Sequence, residues 1–186
     1  MSWAEALQRS APGGEGIFVI NVRHTMMTRA LVDILRHLLN ERNESGVVFS
    51  VDRPSAYLSQ LLEHQGIVLD RLLFLDAVTK ISGESVPPTD KLELLTSPFC
   101  VNLLSEFVSC HSSKVVASGH GFVVVDNLSA LKPYLSSPCV ERLVQTLKEL
   151  GGGLPGFRCI FVMDRDAHPE LYDLVMKNGA KEVAVC

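Results

Sequence analysis

Three pairs or triplets of polar residues follow apolar runs in this chain. Arg23, His24 and Thr25 follow Ile17 to Val22, Asp52 and Arg53 follow Gly46 to Val51, and Asp126 and Asn127 follow Phe122 to Val125. Acids at such positions can orient a magnesium ion or a water, a Thr hydroxyl can ligate the metal, and Arg and His at a helix start can attract an anion. Phosphate chemistry therefore has residue types here that suit it. Its usual scaffold is absent. A loop that cradles phosphates needs glycines, so that backbone N–H groups can approach the oxygens, and a lysine to neutralise them. No glycine occurs from Ile17 to Ser45 and no lysine before Lys80, so Thr25 alone has a counterpart in such a loop.

The elements that must position these residues alternate. Ile17 to Val22 reads as a strand buried on both faces, and Thr25 is placed to cap the helix after it. In that helix Met27, Leu31, Ile34, Leu35, Leu38 and Leu39 recur at helical spacing before the polar turn that begins at Asn40. A second strand spans Gly46 to Asp52, and Pro54 opens a helix that runs to about His64 and stops at Gly66. Leu72 to Leu75 is a third strand, followed by a long loop from Ala77 to Asp90. Leu92 to Ser109 reads as an amphipathic helix interrupted near Pro98. Then come the strand Gly121 to Asn127, a helix from about Pro133 to Leu150, a flexible glycine link, the strand Phe157 to Asp164, a helix from Pro169 to Asn178 and a last strand from Val183 to Cys186. This alternation predicts an α/β fold, a three-layer α/β/α sandwich around a mostly parallel central sheet, with ligands beyond the carboxyl ends of the strands. Residues 1–15 are expected to be a flexible segment and residues 16–186 one domain.

The order of these parts resembles the RecA-like ATPase core, above all its KaiC-type branch. The run F-V-V-V-D ending at Asp126 looks like a Walker B strand, and its continuation N-L-S-A-L resembles the stretch after it in that family. The resemblance implies that Asp126 matches the Walker B acid, Asn127 the position after it, and Asp52 the first of two paired acids. Arg53 takes the second of those positions with reversed charge, and Asn21 to Thr25 replaces the longer glycine-lysine loop. Arg23, His24, Thr25, Asp52, Asp126 and Asn127 are thus a degenerate nucleotide site. ATP hydrolysis and a bound cofactor are not expected, although ATP with Mg²⁺ has a conceivable place. What the resemblance implies instead is a regulatory or protein-binding module that pairs with a protein partner or with itself. The alternatives are an ATPase with an unconventional phosphate grip, using Arg23 or His24, and a DNA-repair or recombination accessory protein.

Composition sets the remaining bounds. At 186 residues and 47% hydrophobic, the chain can bury roughly 70% of its unfolded surface as one domain. With 17 basic against 21 acidic residues, no overall field recruits nucleic acid or an anionic membrane, although a local basic groove is compatible with that balance. No signal sequence or membrane-length apolar run is seen, so a cytoplasmic location without a membrane partner is expected. Five cysteines without a C-x-x-C spacing read as reduced thiols. Asp164, Asp166 and His168 have metal-capable side chains, but the bland reading is a solvated turn. Cys110 and His111 adjoin in sequence without a third group to orient them as a nucleophilic pair.

Overall fold

Along β1 (Gly16–Asn21), Ile17 and Val19 join one apolar cluster and Phe18 and Ile20 the other, and all four are buried. The same alternation holds for Val47 and Phe49 against Val48 in β2 (Ser45–Ser50), and for Val123 and Val125 against Phe122 and Val124 in β5 (Gly121–Val125). A two-residue period with apolar groups on both sides demands cover on both faces, which is why helices flank the sheet. The computed structural model describes residues 2–10, 15–83, 86–87, 89–111, 121–134, 138–154 and 156–183.

Within these residues β3 (Leu72–Asp76), β4 (Leu92–Leu94), β6 (Phe157–Met163) and β7 (Lys181–Val183) complete a sheet ordered β4-β3-β2-β5-β6-β1-β7. Every pairing between named strands is parallel. One face carries α1 (Trp3–Ser10), α2 (Met27–Arg36) and α3 (Ser55–His64); the other carries α4 (Val101–Cys110), a 3-10 stretch Leu128–Tyr134, α5 (Pro138–Gly153) and α6 (Pro169–Lys177). This is the three-layer α/β/α sandwich expected from the alternation. Gly66 ends α3 with φ +71°, the left-handed conformation that favours glycine at a helix stop.

Several boundaries differ from the sequence expectation, each for a tertiary reason. Residues 92–94 are a strand, because Leu92, Glu93 and Leu94 pair with Phe74, Leu75 and Asp76, and the helix begins only at Val101. The N-terminal segment expected to be flexible contains α1. Ser2 and Glu5 form a reciprocal capping box there, with Ser2 N–H donating to Glu5 Oε2 and Glu5 N–H to Ser2 Oγ, while Ala6 and Leu7 bury their side chains in the α2 layer. The helix expected to end at Leu150 runs to Gly153, so the glycines open no link there. The last described strand is Lys181–Val183, and residues 184–186 of the expected one lie outside the described residues. The long loop begins as a structured turn: Ala77 N–H donates to Ser50 O and Lys80 Nζ to Leu94 O.

At the amino end of the sheet Glu44 Oε1 accepts from Arg42 Nε at 2.7 Å and from Arg158 Nη2 at 3.1 Å, with Glu44 and Arg158 both buried. Those ions lie far along the strands from the carboxyl-end residues. They hold β6 to the turn before β2.

Candidate functional site

The strand order sets two switch points at the carboxyl edge, each a crevice between the connections that leave its two strands. β1 leads into α2 on one face, while its neighbour β6 leads into α6 on the other; β2 leads into α3 on the first face, while its neighbour β5 leads into the 3-10 stretch on the second. Adjacent strands whose connections leave on opposite faces splay apart, and that switch point is where open α/β sheets take ligands. The sequence-predicted residues divide between the two. Arg23, His24 and Thr25 belong to the β1/β6 crevice, and Asp52, Asp126 and Asn127 to the β2/β5 crevice. Because β6 stands between β1 and β5, the two groups start about 10 Å apart.

In the β2/β5 crevice Asp126 is buried at 4% exposure, and its Oδ1 accepts the N–H groups of Val51 at 2.8 Å and Asn127 at 2.9 Å. Its Oδ2 is buried without a hydrogen-bond partner. Burial, with the nearby Asp52 charge adding to it, pushes this carboxyl up to about 7 against the opposing pull of the Val51 N–H. Asn127 Nδ2 donates to Asp52 Oδ2 at 3.1 Å, so the amide ties the two strand ends together. Arg53 Nε stands 3.7 Å from Asp52 Oδ2, its Nη1 donates to Thr28 Oγ1 in the first turn of α2, and the guanidinium lies 5.9 Å from the Tyr57 ring centre. The reversed charge at position 53 thus neutralises Asp52 and fastens β2 to α2.

In the β1/β6 crevice the principal group is an acid that the sequence places at the end of the β6 strand, although the cluster around it reads as a solvated turn. Asp164, buried at 9% exposure, accepts the His24 N–H on Oδ2 at 2.8 Å and the Ala167 N–H on Oδ1 at 3.0 Å. Burial opposes its ionisation, but the amides of Ala167, His24 and Asp166, together with His168, outweigh it and hold the carboxyl below its usual value. Arg23 and the His24 ring are exposed and without a hydrogen-bond or ion-pair partner among the described residues. Thr25 does not cap α2. It lies exposed inside the 3-10 turn His24–Met26, and Met26 takes the cap position with no side-chain hydrogen bond.

Ser129 was not singled out in the sequence, and it joins the crevices. Its N–H donates to Asn127 Oδ1 at 3.1 Å and its Oγ accepts the Asp164 N–H at 3.1 Å. A continuous belt therefore runs Asp52, Asn127, Ser129, Asp164, His24 across the ends of β2, β5, β6 and β1. Its only sequence signal was the Ser and the Asp at the ends of apolar runs. One strand further out, Asp76 is fully buried and accepts from Ser55 N–H at 2.6 Å, Val78 N–H and Thr79 N–H at 2.8 Å each, and Thr79 Oγ1 at 2.6 Å. Burial alone would raise its pKa; the Thr79 and Ser55 hydrogen bonds prevail and lower it. Among the described residues no group of three or more His, Cys, Asp or Glu side chains is arranged to hold a metal, and Asp164, Asp166 and His168 form no such group.

No family model matches the chain, and no curated protein matches its sequence significantly. Solved structures do resemble it. An uncharacterized Pyrococcus horikoshii protein crystallised in complex with an unknown peptide superposes with a TM-score of 0.67 at 13% identity, covering 98% of this chain and 84% of its own. A KaiC-like protein from Pyrococcus horikoshii OT3 superposes with a TM-score of 0.56 at 14% identity, covering 94% of this chain and 75% of its own. At these identities the likeness is one of fold, and the topology is RecA-like. No helix among the described residues is long and apolar enough to cross a membrane.

Proposed function

We propose that this chain is a non-hydrolysing RecA-like module of the KaiC type that acts by binding protein, as a regulatory partner of another chain or of its own copies. One contact carries the reading. The His24 N–H, which opens the turn where a phosphate would be received, donates to the internal carboxylate of Asp164. An anion entering there must displace the carboxylate that already accepts the His24 and Ala167 amides, and no glycine from Ile17 to Ser45 lets the backbone curl readily into a nest. Asp52 is already paired with Arg53, and Asp126, its carboxyl pushed up to about 7 by burial, is a weakened partner for magnesium. The likeness to a structure that holds a peptide supports protein binding at the level of the fold.

The test is thermal unfolding with millimolar ATP and Mg²⁺. A ligand selective for the native state stabilises it by mass action, by about 2.7 kcal/mol at a hundredfold excess over Kd, and so raises the melting temperature. No shift is expected. A rise of several degrees that disappears in Asp126→Ala would establish a nucleotide site with an unconventional grip.

A further inference from the structure

Charge on the outer face of α2 is unevenly compensated. Arg29, Val32, Asp33 and Arg36 line a cleft of about 430 Å³, walled by Trp3 at the start of α1 and by Gln65 after α3. Residues 29 and 36 are seven apart, so they project from the same face of the helix about 10 Å from each other. Between them Asp33 is committed elsewhere: its Oδ2 accepts the Ala4 N–H at 3.3 Å, satisfying a free amide of the α1 N-terminus. Glu5 is likewise engaged by Ser2 N–H. Arg36 has only neutral partners, its Nη2 donating to Gln65 O at 3.1 Å and to Gln65 Oε1 at 3.4 Å, which fixes its direction without cancelling its charge. Arg29 is exposed and has no partner among the described residues. On a molecule of net charge -4, this is a local cationic groove with an indole on its wall.

We propose that the cleft between α1 and α2 is the docking site for an acidic peptide segment of a partner protein, with carboxylates about 10 Å apart meeting Arg29 and Arg36 and an apolar side chain resting on Trp3. That spacing is met by residues i and i+7 of a helix, or by i and i+3 of a polyproline II segment. Asp33 keeps its negative charge between the two arginines, so the partner must place a neutral residue or an N–H opposite it. Arg suits the role through its planar fork of donors, which matches a carboxylate two bonds at a time. This inference rests on the protein-binding reading above, and it names the chemistry of the partner.

Trp3 is the single tryptophan of the chain, so its fluorescence reports the cleft directly. A proline-rich octapeptide with two glutamates three positions apart and a leucine beside them is titrated against the full chain while Trp3 emission is followed, with the same peptide bearing serines in place of the glutamates and an oligothymidylate of equal charge in parallel. The expected result is a saturable change with the glutamate peptide alone. It weakens at least severalfold as salt is raised and weakens at least tenfold in Arg29→Glu, whose side chain is exposed and whose fold is checked by circular dichroism; Arg36→Gln gives a smaller loss. Silence at millimolar glutamate peptide overturns the proposal, as does an equal response in Arg29→Glu. A tighter response to oligothymidylate overturns the peptide class. The ATP titration reads the carboxyl edge of the sheet and this one reads α2, so either can fail while the other stands.

Discussion

The backbone N–H of His24 lies 2.8 Å from Asp164 Oδ2, a hydrogen bond across the β1/β6 crevice between residues 140 positions apart in sequence. With the Val22 N–H to Met163 O bond beside it, the loop after β1 is tied to β6 before any ligand arrives. The crevice that the topology opens is closed by the chain's own polar groups.

Replacing Asp164 should therefore loosen this edge more than an ordinary surface change would. Asp164→Ala leaves the His24 and Ala167 amides without their acceptor, an expected cost of about 1–3 kcal/mol. Hydrogen exchange should accelerate at residues 23–26. The sign with pH follows from the lowered carboxyl: its stabilising contribution is present above the usual Asp value of 3.8 and is lost as pH falls below it. Acid unfolding of the wild type should thus be steeper below pH 4 than that of Asp164→Asn. Identical acid limbs in the two proteins would remove Asp164 from this account.

Asp126 should behave in the opposite sense. Its carboxyl is pushed up to about 7 in the folded chain, so the native state holds a proton that the unfolded chain releases near 3.8. Its contribution is complete below the lower value and lost as pH rises through the higher one, a swing of up to about 4 kcal/mol. Asp126→Asn should leave Tm less dependent on pH between 5 and 8, and should exceed the wild type by several degrees at pH 8. Parallel Tm curves for the two proteins would show that burial does not hold the proton there.

A third expectation concerns packing at the amino end of the sheet. A Cβ built at Gly46 in β2 falls 2.4 Å from the buried ring of Phe122 in the neighbouring strand β5. Gly46→Ala should cost about 1–3 kcal/mol, because a packed ring must leave its rotamer. Pairing it with Phe122→Leu should recover part of that loss relative to the sum of the two single changes, measured by denaturant unfolding as a coupling energy.

Much of the frame was legible in the sequence. Buried strands such as Phe157–Met163 announce themselves by apolar runs, and α2 by helical spacing, because each reflects a local period matched to burial. Leu92–Leu94 misled because three residues carry too little period to separate strand from helix, and what decided them was an edge position open beside β3. The site was legible only in part. Asp52, Asp126 and Asn127 were found as polar residues ending apolar runs, and they do meet. Thr25 was assigned a cap that its exposed 3-10 position does not make; Asp164 was placed at a strand end but with its neighbours in a solvated turn, and Ser129, which closes the belt with it, was not singled out.

What the sequence determined by itself was the lack of glycine from Ile17 to Ser45 and of lysine before Lys80, the alternation of strands and helices, and the placement of polar residues at strand ends. Those are properties of single residues and short windows. Only the tertiary structure decided that β6 stands between β1 and β5, which separates Arg23 and His24 from Asp126 by two strand spacings and inserts Asp164 between them. Strand order is set by which faces can be covered by which helices, an energy summed over the whole core, and no local pattern around His24 records the carboxylate that meets it.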